Sequence, residues 1–268
     1  MSFKIILALS LSCMHIFLCQ TAKAAIQSPL SIMIDPGHGG ADHGATREEI
    51  RESQLCLQIS RYLSEMLKKN LNFKVTLTRT SDEQMSLSER VLLAKENKVD
   101  VFLSIHANAS EDPKAYGLEL YFQNQMAPDE ESRFLANIEN QNALNKNKDS
   151  TLASEKITSQ SDIDGIVEDL KRNHRISESF ELSRHLFQAL PRSSFGKIKN
   201  HALRQAPFYV ISQTNIPAVL VEVGYISSQN DKSKLISPEY QRKIAISLYE
   251  GLVKHKEYLD KQHAKSLD

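Results

Sequence analysis

VDVFLSIHAN, residues 99–108, is the stretch that decides the fold. Val99 to Ile105 is a short, mostly apolar run ending on His106, with the length of a strand and no helical spacing. Such a run reads as a strand buried on both faces, the pattern of a parallel sheet. Two further stretches have the same form. SIMIDPGHGG (31–40) carries Ile32-Met33-Ile34, then Asp35, then a Pro-Gly turn. PAVLVEVGY (217–225) carries Val219-Leu220-Val221 and then Glu222. Phe73 to Thr78, Gly117 to Phe122 and Phe208 to Ser212 read as additional strands. Helical patterns separate them. Residues 53–69 place Leu55, Ile59, Tyr62, Leu63, Met66 and Leu67 on one face. Leu87 to Glu96 and Arg175 to Leu190 also read as helices. A last helix opens at Ser237-Pro238, a cap residue followed by proline at the first helical position. Strands alternating with helices imply an α/β fold: a single domain with a mostly parallel twisted sheet and helices on both faces.

Ligands of such sheets gather beyond the carboxyl ends of the strands. His38, His106 and Glu222 all lie at or near strand ends, and Glu52 opens a helix on the same side. Two imidazoles and one carboxylate make an open tetrahedral zinc site, and a second carboxylate beside it serves as general base. Spacing alone leaves alternatives. His43 competes with His38, and Glu48 and Glu49 compete with Glu52. A carboxylate at the end of a buried strand is costly unless paired or near a cation. Glu222 therefore reads as a site residue, or else as the partner of an arginine such as Arg79 or Arg204. Arg79 and Arg90 read as structural pairs.

The motifs carry a resemblance. DPGHGG, the RES that opens the 53–69 helix, LTR (77–79), SIHAN and LVEVGYIS occur in one order over most of residues 31–255. Together they resemble the zinc-dependent N-acetylmuramoyl-L-alanine amidases of the AmiA/AmiB/AmiC type. The resemblance implies one Zn²⁺ held by His38, Glu52 and His106, with Glu222 as base. It implies cleavage of the amide between N-acetylmuramic acid and L-alanine of the peptidoglycan stem, in cell-wall remodelling or daughter-cell separation. Ser53-Gln54 stands where the family usually has Lys-Asp. Another zinc hydrolase of the wall, a peptidase or deacetylase, and a catalytically silent wall-binding module are the competing readings.

The ends and the composition set the location. Residues 1–24 read as a signal peptide: a basic start at Lys4, an apolar run from Ile5 to Leu18, and a cleavage site at Ala22-Lys23-Ala24. The expected location is the periplasm, with residues 25–268 as the catalytic domain and no membrane span after cleavage. The whole chain has 33 Lys+Arg and 33 Asp+Glu, and the signal removes only Lys4 and Lys23 from that balance. Near-neutrality gives no electrostatic case for a nucleic-acid partner. Cys13 and Cys19 leave with the signal, so Cys56 has no intramolecular disulfide partner. The other histidines of the mature chain, His174, His185, His201, His255 and His263, read as surface or helix residues.

Residues 124–172 form a polar insertion, which reads as disordered or functional. It contains two amphipathic pieces, FLANIEN (134–140) and Ile163 to Leu170. Some amidases of the resembled family carry there a helix whose glutamate blocks the zinc, released by a partner with a degenerate LytM-type domain. Glu139 occupies the matching place, although the Gly-Gly that usually follows is absent. The resemblance therefore implies autoinhibition through Glu139 and a LytM-domain activator as partner.

Overall fold

A computed structural model of the chain describes residues 28–112, 114–124, 129–144, 162–190 and 203–266. The signal segment 1–24 lies outside the described residues. Six strands form one sheet: β1 (Leu30–Pro36), β4 (Phe73–Leu77), β5 (Val101–Asn108), β6 (Glu119–Gln123), β7 (Leu203–Ala206) and β8 (Ala218–Tyr225). Two-residue strands β2 (Thr46–Arg47) and β3 (Ile50–Arg51) make a separate antiparallel pair. The sheet order is β4-β1-β5-β8-β6-β7. β4, β1, β5 and β8 are parallel, while β6 runs antiparallel to β8 and pairs parallel with β7.

Strand alternation divides the core into two layers. Ile32, Ile34, Leu103, Ile105, Val219 and Val221 point to one face. There they meet α1 (Glu52–Lys68), α4 (Asp162–Ala189) and α7 (Pro238–Lys265) through Ile59, Leu63, Leu182, Leu186, Leu248 and Leu252. Met33, Phe102, Tyr121 and Leu220 point to the other face. They are covered by Ala94 of α2 (Leu87–Glu96), Leu135 and Ala136 of α3 (Glu130–Leu144), and Val210 and Ile211 of α5 (Tyr209–Ser212). The short α6 (Gln229–Leu235) follows β8. Among the described residues no helix is long and apolar enough to cross a membrane.

Helix starts follow local chemistry. Ser86 and Glu89 form a reciprocal capping box on α2. α1 has no side-chain cap; its first amides, Glu52 and Ser53, donate to the carbonyls of Ala45 and His43 at 3.0 and 3.1 Å. The loop ahead of the helix thus satisfies donors that a helix start leaves open. Pro238 opens α7 as expected, but the Ser237 side chain makes no cap bond.

The structure changes two expectations about the elements. Phe208 to Ser212 is not a strand: its residues 209–212 form α5, and the edge strand is β7 ahead of it. A helical turn lets adjacent Val210 and Ile211 bury on one side, whereas a strand would send them to opposite faces. The helix expected from Arg175 begins at Asp162, so the second amphipathic piece of the insertion is its first turns. The described parts of 124–172 are therefore largely helical. His185 and His255 are helix residues, one of the two readings given for them, and both are buried, 7% and 2% exposed, with their Nδ1 atoms 3.2 Å apart between α4 and α7.

Candidate metal centre and active site

His38 sits in the turn after β1, held by backbone and by two buried arginines. Arg90 donates to the carboxylate of Asp35 at 2.6 Å and to the carbonyls of Pro36 and His38 at 2.7 and 2.8 Å. Arg79 donates to the carbonyls of Pro36, Gly37 and Ser53 at 3.0, 2.7 and 2.8 Å. One guanidinium thus ties the His38 turn to the first turn of α1, where Glu52 lies. Burial alone would raise the Asp35 pKa, but Arg90 and the Thr78 hydroxyl outweigh it and hold the carboxyl below its ordinary range. The turn itself is strained: His38 has φ +54°, a left-handed conformation that costs about 1–3 kcal/mol for a residue with a side chain.

Two glycines make the close approach possible. A Cβ on Gly37 would lie 2.5 Å from the His106 ring. A Cβ on Gly44, whose φ is +65°, would lie 2.5 Å from both Glu52 Oε2 and His38 Cδ2.

His38, His106 and Glu139 bring donor atoms within 4.8 Å of one another. Glu52 joins them: its Oε1 lies 3.2 Å from His38 Nε2 and 3.0 Å from His106 Nδ1. Glu139 Oε2 lies 3.3 and 3.5 Å from the same two nitrogens. Four ligands at zinc distances of ~2.0–2.1 Å stand about 3.3 Å apart on a tetrahedron, close to these separations. His38 Nε2 is buried and makes no well-formed hydrogen bond, although two carboxylate oxygens face it. The donor set of two imidazoles and two carboxylates, with an orphaned imidazole nitrogen between them, fits a divalent cation such as zinc.

Outer contacts aim these groups. His38 Nδ1 is 3.1 Å from Asp42 Oδ2, which turns Nε2 toward the cluster. The other oxygen of Glu52 accepts from the Ala45 amide at 2.8 Å, and Oε1 also accepts from the Ala107 amide at 3.0 Å. Burial opposes charge on both partners. Even so, Glu52 and Glu139 push the His38 pKa well above its ordinary value, and the two histidines hold Glu52 well below the carboxylate range.

Glu222 lies in register with His106 across β5 and β8. It is 1% exposed, and its Oε2 has no hydrogen-bond partner among the described residues. Neither arginine considered as its partner pairs with it: Arg79 serves the backbone carbonyls, and Arg204 pairs with Glu119. Burial first, then the charges of Glu52, Glu139 and Glu119, push the Glu222 carboxyl well above its ordinary range. A cation in the cluster would work against that rise.

Residues 32–254 match the family described as N-acetylmuramoyl-L-alanine amidase. The chain belongs to this family. It is 32% identical over 229 residues to a protein of Haemophilus influenzae called probable N-acetylmuramoyl-L-alanine amidase AmiB, covering 84% of this chain and 52% of that one. It is 29% identical to N-acetylmuramoyl-L-alanine amidase AmiA of Escherichia coli, covering 88% and 79%. The chain spans about half the length of the first of these relatives. Among solved structures, amidase AmiC2 of Nostoc punctiforme superposes with TM-score 0.60 at 26% identity, covering 85% of this chain and 98% of that one.

Within this family frame, His38, Glu52 and His106 converge, Glu222 stands beside them, and α3 carries Glu139 onto the same two imidazoles. Among the described residues, no hydrogen bond or ion pair joins the side chains of His43, Glu48 or Glu49 to the cluster; Glu48 pairs with Lys232. Sequence reading missed Asp42, and it missed Glu119, the residue in register with Glu222 on β6. Asp42 was findable, lying four residues after His38. Glu119 carries no local signal, because only the β6–β8 register brings it there.

Proposed function

We propose that this chain is a zinc-dependent N-acetylmuramoyl-L-alanine amidase that cleaves the amide joining N-acetylmuramic acid to L-alanine of the peptidoglycan stem. One observation carries the reading: His38, Glu52 and His106 converge around an orphaned imidazole nitrogen, with a buried carboxylate, Glu222, on the neighbouring strand. Family membership gives that constellation its bond and its substrate. A zinc ion held by the three residues would polarise the scissile carbonyl and acidify an attacking water. Glu222 takes the proton from that water as its oxygen bonds to the carbonyl carbon. Glu222 then delivers the proton to the amide nitrogen, the C–N bond breaks, and the stem leaves with a free amine on L-alanine. The walls around Glu222 exclude bulk water and keep its proton exchange local.

The arrangement with Glu139 against both imidazoles is the closed one. Its carboxylate fills the position where water and substrate must enter, and a partner with a LytM-type domain withdraws α3. With the signal expected at 1–24, this work belongs in the periplasm, at wall remodelling or daughter-cell separation. The test is mass spectrometry of sacculi digested by the zinc-loaded protein and by Glu222→Gln. Stem peptides beginning with free L-alanine should appear with the first and not with the second. Peptides cut elsewhere, or deacetylated glycan, would replace this reading with a peptidase or deacetylase.

A further inference from the structure

His106, Glu222 and Glu119 stand in one row across three neighbouring strands. Glu222 on β8 pairs in register with His106 on β5 to one side and with Glu119 on β6 to the other. Register partners point to the same face of a sheet. Here it is the face of Leu220 and Tyr121, two residues from Glu222 and Glu119, which α3 helps to cover. The base therefore lies between an imidazole of the metal cluster and a second buried carboxylate. Directly opposed residues of an antiparallel pair have Cβ atoms about 4.5–5.5 Å apart, and like charges there are destabilising. The two carboxylates are held very differently. Glu119 is 3% exposed and anchored on both oxygens. Its Oε2 accepts from the hydroxyls of Tyr121 and Tyr225 at 2.9 and 3.0 Å, and its Oε1 lies 3.1 Å from Arg204 Nη2. These three anchors sit on strands β6, β8 and β7, and none of them on α3. Glu222 is equally buried, but its Oε2 has no hydrogen-bond partner among the described residues.

We propose that Glu119 is a positioning residue for the reaction: its anchored charge turns the Glu222 carboxylate away from β6 and toward the metal cluster on the β5 side. This deepens the amidase reading above and rests on it. A general base needs an oxygen aimed at the proton it takes. Among the described residues no donor aims Glu222 Oε2, so its direction is set from behind, by a charge it cannot approach. Of two repelling carboxylates, the one with three anchors stays and the other turns. The opposed pair costs stability, and the bonds to Glu119 offset part of that cost. Glu119→Gln would remove the repulsion. It would also place an amide donor within reach of Glu222 and hold the base on the wrong side of its strand.

The experiment uses the zinc-loaded full mature chain with Glu139→Ala, so that the cluster is open, and a muropeptide fragment as substrate. Glu119, Glu119→Gln and Glu119→Asp are compared, each with Glu222 and each with Glu222→Gln. With Glu222 present, Glu119→Gln should keep its zinc and hold KM within about threefold. Its kcat should fall about tenfold to a hundredfold, the scale of a slightly misplaced catalytic group. Glu119→Asp keeps the charge and should recover part of the loss. In the Glu222→Gln background, Glu119→Gln should change the residual turnover by less than about threefold, because a residue that acts through another has no effect once that other is gone. A crystal structure of Glu119→Gln should show a Glu222 oxygen within hydrogen-bond distance of the introduced amide. Tyr225→Phe, which removes one anchor bond, carries the same kinetic comparison if Glu119→Gln does not fold. Equal losses with and without Glu222, a loss confined to KM, loss of zinc, or no change overturn the role of Glu119 and leave the amidase reading intact. If the Glu139→Ala parent releases no stem peptide, the amidase reading fails and this proposal fails with it.

Discussion

Asn140 is bonded in both directions to the turn after β7: its Nδ2 donates to the Pro207 carbonyl at 3.0 Å, and its Oδ1 accepts from the Tyr209 amide at 2.8 Å. Asn140 directly follows Glu139, so this two-way bond fixes the part of α3 that faces the imidazoles. Asn140→Ala removes both bonds and leaves two backbone groups to find water, which destabilises the docked helix without touching any site residue. Expected are faster amide hydrogen exchange over residues 130–144 and dye release from labelled sacculi, without a partner, at least about fivefold faster. Glu139→Ala should accelerate release at least as much. If both folded, zinc-loaded variants match the native chain, the closed arrangement is not inhibitory.

Metal content separates ligand from base. His38→Ala, Glu52→Ala and His106→Ala should each leave the purified protein with well under one zinc per chain by mass spectrometry of the metal. Glu222→Gln should retain about one zinc and lose about 10²–10⁴-fold in turnover, the range for a general acid–base group. Loss of zinc from Glu222→Gln with retention in Glu52→Ala would exchange the two assignments.

Gly44 offers a test of the close approach. Gly44→Ala places a methyl where Glu52 and His38 already are, at a φ of +65° that alanine adopts at a cost of about 1–2 kcal/mol. Zinc affinity, measured by chelator competition, should fall at least about tenfold. Gly165→Ala is the control. An added Cβ there meets nothing within 4 Å, and the helix should gain about 0.5–1 kcal/mol from the lost glycine.

The buried histidine pair predicts an acid limit on stability. Burial first, then His185, push the His255 pKa down to about 3. His185 is pushed down too, by burial and by Arg184, with Glu181 opposing and Lys254 adding to the fall. The Tyr258 ring stacks with His255 and lies tilted against His185. The unfolded chain takes up a proton at each site below about 6.5 while the folded chain does not. The folded state therefore loses ground as pH falls below about 6.5, and the pair costs nothing above it. The slope for His255 is up to about 1.4 kcal/mol per pH unit. Urea midpoints at pH 7.5 and 5.0 should separate clearly for the native chain and less for His255→Gln. Equal separations would remove His255 as the cause.

Much of the fold and the core of the candidate site were legible because they rest on short-range signals. Val101 to Ile105 and Val219 to Val221 are apolar runs that end on His106 and Glu222, so each strand announces both its burial and its cargo. What could not be read depends on partners distant in sequence. β7, with the sequence LRQA, has no apolar alternation and is a strand only because β6 offers it an edge. The β2–β3 pair is too short to show a period, and α6 is polar over most of its length. The junction of Arg204 with Glu119 and Glu131 joins three elements, and no window of sequence contains it.

The contact of Gly37 with the ring of His106 has a bearing on how such a centre changes over time. The space that would hold a side chain at position 37 is the space the imidazole fills. Neither position is open to variation while the other stays as it is. An alanine at 37 would have to displace His106, and a smaller residue at 106 would leave a void beside the turn. The two segments, distant along the chain, are thus inherited as one unit, and a laboratory search that randomises either alone will return the starting residue.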